Sequence, residues 1–334
     1  MRSRSISRSL VTIVCSAAFA VGGCKKETSS TSGGGPTTNG SKKLTIGFSQ
    51  VGAENAWRTA ETNSITSEAK NRDINLKFSD AQSKQENQIA ALRGFVAQGV
   101  DAIILAPKIE TGWEPVLKEV KAAKIPVILV DRGVKVSDDS LYTTLIASDF
   151  VEEGRRVGDW LTKKTGGTAK IAEIQGTPGA APTVDRQKGF AESITKAPGM
   201  KIIMTQTGEF TRAKGKEVME AFLKSPEGKD ITAVYAHNDE MALGAIQAIE
   251  AAGKKPGSDI IVVSIDGMRD AFQSMVDGKL SATVECNPLM GPAAFDAAAK
   301  AVAGEKLPKQ TVVQDGIFEQ STAKDAIAGR KYCG

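Results

Sequence analysis

The sequence predicts an α/β protein made of two doubly wound halves, each with a parallel sheet covered by helices. From Lys43 onward, short apolar segments alternate with longer segments whose apolar residues recur at spacings of three and four. The short segments are apolar at nearly every position, which is typical of strands buried on both faces of a parallel sheet. The pattern breaks near LIASDF (145–150) and then resumes, so we expect two halves.

The first half contains four predicted strands separated by three predicted helices. The strands are LTIGFSQ (44–50), INLKFSD (74–80), DAIILAP (101–107) and IPVILVD (125–131). The helices are WRTAETNSITSEAKNR (57–72), ENQIAALRGFVAQG (86–99) and WEPVLKEVKAA (113–123). Strictly alternating strands and helices predict parallel pairing with helical crossovers.

The second half repeats this order. Its predicted strands are AKIAEIQG (169–176), MKIIMTQ (200–206), ITAVYAH (231–237) and DIIVVSID (259–266), with helices near 183–196, 212–224, 239–252 and 268–277. The 334 residues are enough for about two domains of roughly 150 residues each.

A targeting segment precedes the two halves. Three arginines in residues 1–8 are followed by an apolar run at 10–21 and by small residues ending at Cys24, which predicts an export signal peptide over 1–23. The run is shorter than the roughly 20 residues of a membrane-spanning helix. VGGC (21–24) resembles a lipobox, so we expect lipid on Cys24; the alternative is an ordinary cysteine after a normal cleavage site. Residues 24–41 are rich in Ser, Thr and Gly and predict a flexible, lipid-anchored tether.

The charge balance argues against a nucleic-acid partner. The net charge of +4 resides in the targeting segment and tether, and residues 42–334 hold 38 basic and 38 acidic side chains. One histidine, His237, and four cysteines without a C-x-x-C pair argue against a zinc site, and we expect no metal and no cofactor.

Polar and aromatic residues follow the predicted strands in both halves. Ligands of doubly wound sheets bind beyond the carboxyl ends of the strands, where these side chains meet. Carboxylate, guanidinium, amide and aromatic groups together suit a neutral polyhydroxylated ligand, whose hydroxyls donate and accept hydrogen bonds. Any one of these residues alone is better explained as a helix cap, a surface charge or a packing residue, but nearly all of them lie at the same edge in both halves. The set comprises Glu54, Trp57, Arg58, Asp131, Arg132, Arg186, Phe210, Asn238, Asp266 and Glu285.

Several sequence blocks resemble a known family. They are GFSQVG with the following W-R (47–58), TGWEPVLKE (111–119), DRQKGFAE (185–192), FTRAKGKEVME (210–220), VYAHND (234–239) and SIDG (264–267). Together these blocks resemble the periplasmic sugar-binding proteins of ABC transporters, of the ribose/galactose-binding type and nearest to the galactofuranose-binding members. The resemblance extends from residue 43 to about 320.

The resemblance implies a type I periplasmic binding protein fold: two Rossmann-like lobes, a three-crossover hinge, and hinge closure on one sugar. It implies an N-terminal lobe of 42–147 plus about 286–310 and a C-terminal lobe of 148–285 plus about 311–334. Implied first-lobe contacts are Glu54, Asn55, Trp57, Arg58, Asp131 and Arg132. Arg186, Asn238, Asp266 and Glu285 are implied for the second lobe and hinge, and Phe210 for the pocket lining.

Two features depart from the family pattern. Ala53 to Ala56 (AENA) stand where small Ser or Gly residues are expected. Cys286 lies near the implied site, and Cys333 lies near the C-terminus. In an oxidising compartment these two cysteines are expected to form a disulfide or to remain two independent thiols.

The expected function is therefore capture of a monosaccharide outside the cytoplasm and its delivery to an ABC permease. Galactofuranose is the first expectation, followed by galactopyranose, arabinose, ribose or another pentose, and the protein is expected to be a monomer without nucleic acid. A sensory sugar receptor module is the alternative. An enzyme is not expected, because no G-x-G-x-x-G follows the first strand and neither a P-loop nor a G-x-S-x-G elbow is present. A repressor of the same fold would carry an N-terminal helix-turn-helix in place of the signal peptide.

Overall fold

The structure, a computed structural model, describes residues 43–330 and residue 332. The predicted signal peptide, the tether, the lipidation at Cys24 and the pairing partner Cys333 lie outside the described residues. Within them the chain forms two doubly wound sheets, as the sequence predicts, but each sheet has six strands, two more than the four predicted for each half.

The first sheet is parallel throughout and has the strand order β11-β5-β4-β3-β1-β2. Its strands are β1 Thr45–Gln50, β2 Asn75–Asp80, β3 Ala102–Leu105, β4 Val127–Val130, β5 Thr144–Ala147 and β11 Gln310–Val312. All four residues of β3 and of β4 are buried, which explains their unbroken apolar sequences.

The second sheet repeats the winding, with the order β12-β10-β9-β8-β6-β7. Its strands are β6 Thr168–Gln175, β7 Gly199–Thr207, β8 Ala233–Ala236, β9 Ile261–Asp266, β10 Ala282–Glu285 and β12 Ile317–Glu319. Only β12 is antiparallel to its neighbour. The strand order reverses direction at β1 in one sheet and at β6 in the other, and such switch points form a crevice at the carboxyl ends of the strands.

Ten α-helices cover the sheets within the described residues. They are α1 Ala56–Asn71, α2 Gln85–Gln98, α3 Glu114–Ala122, α4 Phe150–Lys164, α5 Ala181–Ile194, α6 Arg212–Lys224, α7 Asp239–Ala251, α8 Arg269–Val276, α9 Gly291–Val302 and α10 Gln320–Ala326. Among the described residues, no helix is long and apolar enough to cross a membrane.

The chain passes between the sheets three times. The passages follow β5, β10 and β11, and the last lies between Val312 and Ile317, slightly beyond the boundary expected near 310. The segments touch one another: Ser148 Oγ lies 3.6 Å from Cys286 Sγ, and the Asn287 N–H donates to Asp315 Oδ1 at 3.2 Å. A displacement of one passage is therefore transmitted directly to the other two.

Candidate functional site

An inner pocket lies where the carboxyl ends of the two sheets face each other. Nine of the eleven ligand residues expected from the sequence line it: Asn55, Trp57, Arg58, Asp131, Arg132, Arg186, Phe210, Asn238 and Asp266. Pro182 and Cys286 complete the lining. The cavity volume is about 20 Å³, little more than one water needs, so a larger ligand requires the walls to move apart.

Arg58 is the centre of the charge network on the first-lobe wall. Its guanidinium is buried. The guanidinium nitrogens lie 2.6 Å from a carboxylate oxygen of Asp131, 2.5 Å from one of Glu61 and 3.6 Å from one of Glu54. Burial alone would lower the pKa of Arg58, but the three carboxylates outweigh it and raise that pKa. Arg58 therefore stays charged and holds Asp131 in place.

Arg132 is held much more loosely. Its nearest carboxylates are Asp131 at 3.4 Å and Glu54 at 3.8 Å, and it donates one hydrogen bond, to the Lys108 carbonyl at 3.1 Å. Its Nε has no hydrogen-bond partner among the described residues. Burial and the nearby charge of Arg58 lower the pKa of Arg132. This guanidinium retains donors for a ligand.

The second-lobe wall is built on Arg186. Its Nε donates to Glu153 at 2.7 Å, its Nη1 donates to the His237 carbonyl at 2.7 Å, and Asp266 lies 3.6 Å away. Burial raises the pKa of Glu153 to about 7, although Arg186 opposes the shift. Burial also raises the pKa of Asp266, whose carboxylate accepts no hydrogen bond within the described chain. Asp266 is thus an available acceptor opposite the available donors of Arg132.

Two asparagines, one from each lobe, converge on one carbonyl. Asn55 caps α1 by accepting from the Arg58 N–H at 2.8 Å, and Asn238 caps α7 by accepting from the Met241 N–H at 3.0 Å. Their amide nitrogens donate to the Phe210 carbonyl at 3.1 and 3.2 Å. Both residues are therefore helix caps as well as pocket residues, and Asn55 links the lobes.

The aromatic side chains are fixed by the backbone around them. Trp57 Nε1 donates to the Cys286 carbonyl at 2.6 Å. The Phe210 ring lies so close to Gly176 that a Cβ there would stand 1.9 Å from Cζ, which only glycine tolerates. Arg132 also approaches this ring, with its guanidinium carbon 5.4 Å from the ring centroid.

Backbone strain is concentrated in the pocket. Asp131, Phe210 and Asp266 have positive φ angles of 61°, 62° and 131°. Non-glycine residues adopt this region at a cost of roughly 1–3 kcal/mol each, and such outliers cluster at ligand sites. The strain therefore supports a binding role for the pocket independently of its charge.

Glu54 and Glu285 do not line the inner pocket, contrary to the expectation. Glu54 faces a neighbouring outer cleft. Glu285 instead accepts from Arg330 at 2.5 Å, from the Tyr332 hydroxyl at 2.8 Å and from the Gly316 N–H at 3.1 Å. The side chain of Glu285 was expected to point toward a ligand, but it points toward the C-terminal segment.

Sequence reasoning missed the buried carboxylates that support the arginines. Glu61 and Glu153 lie inside α1 and α4, away from any strand end. Glu61 is three residues from Arg58 on the same helix, a spacing that could have marked it as a partner, whereas Glu153 pairs with Arg186 of another helix. Helix α4 itself was not predicted, although Asp149 and Glu152 carry an N-cap signal. His237 is buried against Glu173 at 3.1 Å, and burial lowers the pKa of its ring.

Two wound lobes enclosing a polar pocket define a two-lobed solute-binding protein. The sequence pattern of the periplasmic binding protein domain matches residues 46–306, and the chain belongs to this family. The recognition made from the sequence blocks is confirmed.

Characterised relatives are similar over most of the chain. The galactofuranose-binding protein YtfQ of Escherichia coli is 53% identical over 294 residues, which cover 87% of this chain and 92% of that protein. The binding protein of an arabinose ABC transporter from Shewanella sp. ANA-3, solved with α- and β-L-arabinofuranose, is 57% identical with a TM-score of 0.84, covering 86% of this chain and 96% of its own. A Mycobacterium smegmatis structure in complex with β-D-fucofuranose is 52% identical, with the same TM-score of 0.84. The match covers 86% of this chain and 95% of that chain.

Proposed function

We propose that this protein binds a monosaccharide in its furanose form in the inner pocket and delivers it to an ABC importer. Galactofuranose and arabinofuranose are the first candidates, because the relatives above are named for or solved with these sugars. The ribose-type and pyranose sugars follow as weaker candidates.

The observation that carries the proposal is that Arg132 and Asp266 line the same pocket from opposite lobes. One lobe offers a buried guanidinium with spare donors, and the other offers a buried carboxylate with a free acceptor. A sugar hydroxyl satisfies both at once, since it donates and accepts. A hydrogen bond to a charged group is worth about 1.5–3 kcal/mol, and leaving a buried group unpaired costs about as much.

The lobes must separate to admit the ligand. The inner cavity is too small for a sugar with the walls as they stand, and the lobes are joined by the Asn55 contact and by the Glu110 N–H, which donates to the Gly179 carbonyl at 2.9 Å. Opening at the three passages breaks these two contacts, and closure over a sugar re-forms the wall around it.

We further propose that Cys24 carries a lipid that tethers the protein outside the cytoplasm. The support is the lipobox-like VGGC and the long polar tether. Mass spectrometry of the membrane-extracted protein should detect acylation at residue 24, and Cys24→Ser should release the protein from the membrane. A soluble wild-type protein with an unmodified cysteine would contradict the anchor.

A thermal-shift panel tests the binding function. The purified protein is heated with L-arabinose, D-galactose, D-fucose, D-ribose or buffer alone. A ligand at about 100 times its Kd stabilises the native state by about 2.7 kcal/mol, so a binding sugar should raise the melting temperature clearly. Asp266→Asn, which keeps the shape but removes the charge, should lose most of the shift. No shift with any sugar would contradict the proposal.

A further inference from the structure

A second, larger cavity adjoins the inner pocket at the mouth of the interlobe cleft. Its volume is about 520 Å³, within the range of about 300–1,000 Å³ typical of small-molecule sites. Arg132 lines both cavities, so the two are neighbours. Both lobes contribute to the outer cleft: its polar lining includes Ser83, Gln85 and Glu86 from the first lobe and Thr177, Glu209 and Thr211 from the second.

The outer cleft holds polar groups that have no partner in the described protein. Glu54 Oε2 is buried there without a hydrogen bond, while Oε1 faces Arg58 and Arg132. The side chains of Ser83, Glu86 and Thr177 also make no hydrogen bond within residues 43–330. A buried carboxylate oxygen needs a donor, and a ligand hydroxyl supplies one.

The two lips of the cleft are strained in the same way. On the first lobe Gln82 and Ser83 have φ angles of 52° and 58°, and on the second lobe Glu209 and Phe210 have angles of 53° and 62°. Each lip thus holds two consecutive non-glycine residues in the left-handed region. Such conformations persist where the surrounding structure fixes them, and they recur at ligand clamps.

We propose that this outer cleft is a second sugar subsite, so that the protein also captures a disaccharide whose furanose residue occupies the inner pocket. The inference rests on the proposed function and extends it from a monosaccharide to a short glycoside. Glu54 accepts a hydroxyl hydrogen at the junction of the two subsites, and the unpartnered hydroxyl groups of Ser83 and Thr177 bind the second residue.

The charges of the cleft select a neutral second residue. Glu54, Glu86 and Glu209 face two cations, Lys108 and Arg132, and Arg132 is shared with the inner pocket. An anionic group such as a uronate or phosphate would meet more carboxylates than cations. Uncharged hydroxyls use both the donors and the acceptors of this lining.

Calorimetric titrations with L-arabinose and with arabinobiose, a disaccharide of two arabinose residues, test the subsite. Glu86 is exposed at the rim and makes no ion pair among the described residues, so Glu86→Trp fills the outer cleft without breaking a contact. Glu86→Gln is the matched control for the loss of charge. Thr177→Trp repeats the test from the opposite lip.

We expect the wild type to bind both sugars. Glu86→Trp should weaken arabinobiose about tenfold or more, equivalent to about 1.4 kcal/mol, and leave arabinose within about twofold, while Glu86→Gln should bind both normally. If the wild type binds arabinose but not arabinobiose, the subsite is overturned and the proposed function stands. The same conclusion follows if both Trp variants lose affinity for both sugars equally. Failure of the wild type to bind any panel sugar would overturn the proposed function and the subsite together.

Discussion

The two walls of the inner pocket use their arginines in opposite ways. On the second-lobe wall Arg186 is held by two partners at 2.7 Å, Glu153 and the His237 carbonyl. On the first-lobe wall Arg132 has no carboxylate nearer than 3.4 Å and one unpartnered nitrogen within the described structure. A guanidinium whose donors are already used stabilises the wall, whereas one with spare donors is available to a ligand. Burial alone does not distinguish the two, because both side chains are about 4% exposed.

Removal of Arg186 should have the largest effect, and it should act on stability. Arg186→Met leaves the buried Glu153 carboxylate without its partner, and breaking a buried ion pair typically costs about 3–5 kcal/mol. Urea denaturation should show this loss in the free energy of unfolding. The double variant Arg186→Met with Glu153→Gln should recover part of it. Unchanged stability in the single variant would show that Arg186 is not the scaffold of its wall.

Removal of Arg132 should act on affinity instead. Arg132→Ala should weaken sugar binding by about 1.5–3 kcal/mol, roughly tenfold to more than a hundredfold, with little change in unfolding. Burial and Arg58 already disfavour its charge, so the fold gains little from this cation. Arg132→Lys, which keeps the charge but loses the forked donors, should restore only part of the affinity. If Arg132→Ala instead lowered the melting temperature strongly and bound sugar normally, Arg132 would stabilise its wall rather than bind the ligand.

The pH dependence of stability should report the second-lobe wall. Burial raises the folded-state pKa of Glu153 to about 7, from 4.5. The folded state therefore holds more protons than the unfolded state in this window, and the free energy of unfolding should fall as pH rises from about 4.5 to 7. Burial raises the pKa of Asp315, beside the hinge, to about 6, which adds to the same trend. Glu153→Gln should flatten the profile by about 3 kcal/mol. An equally steep profile in this variant would assign the effect to other groups.

The two asparagine caps should give the smallest effects. Asn55→Ala and Asn238→Ala each remove a helix N-cap, worth about 0.5–2 kcal/mol of stability. Asn55→Ala also removes a contact between the lobes, so small-angle scattering of the ligand-free protein should show a more open average shape for this variant than for Asn238→Ala. Identical scattering of the two variants would show that the Asn55 contact does not bias closure.

The sequence predicted the fold well because its signals are local. Buried parallel strands such as β3 and β4 are unbroken apolar runs, and the polar residues that end strands reach one edge by topology alone. Asp131, Arg132 and Asp266 were found in this way, and the structure places all three in one pocket.

The errors have a common physical origin. Glu285 ends a strand as Asp266 does, and the two are paired in register, yet Arg330 from far along the chain draws its carboxylate away. Glu153 pairs with Arg186 across two helices, a contact that no sequence spacing records, whereas the spacing of Glu61, three residues after Arg58 on α1, could have revealed that pair. Long-range pairing of charges therefore decides which strand-end residue faces the pocket.

Isothermal titration calorimetry with L-arabinose and D-galactose on three proteins tests the central claim most directly. We predict binding of at least one sugar by the wild type, strongly weakened binding by Arg132→Ala, and equally weakened binding by Asp266→Asn, with all three proteins folded. Wild-type affinity in both variants would contradict the account, because the sugar would then not bridge the loosely held arginine of one lobe and the free carboxylate of the other.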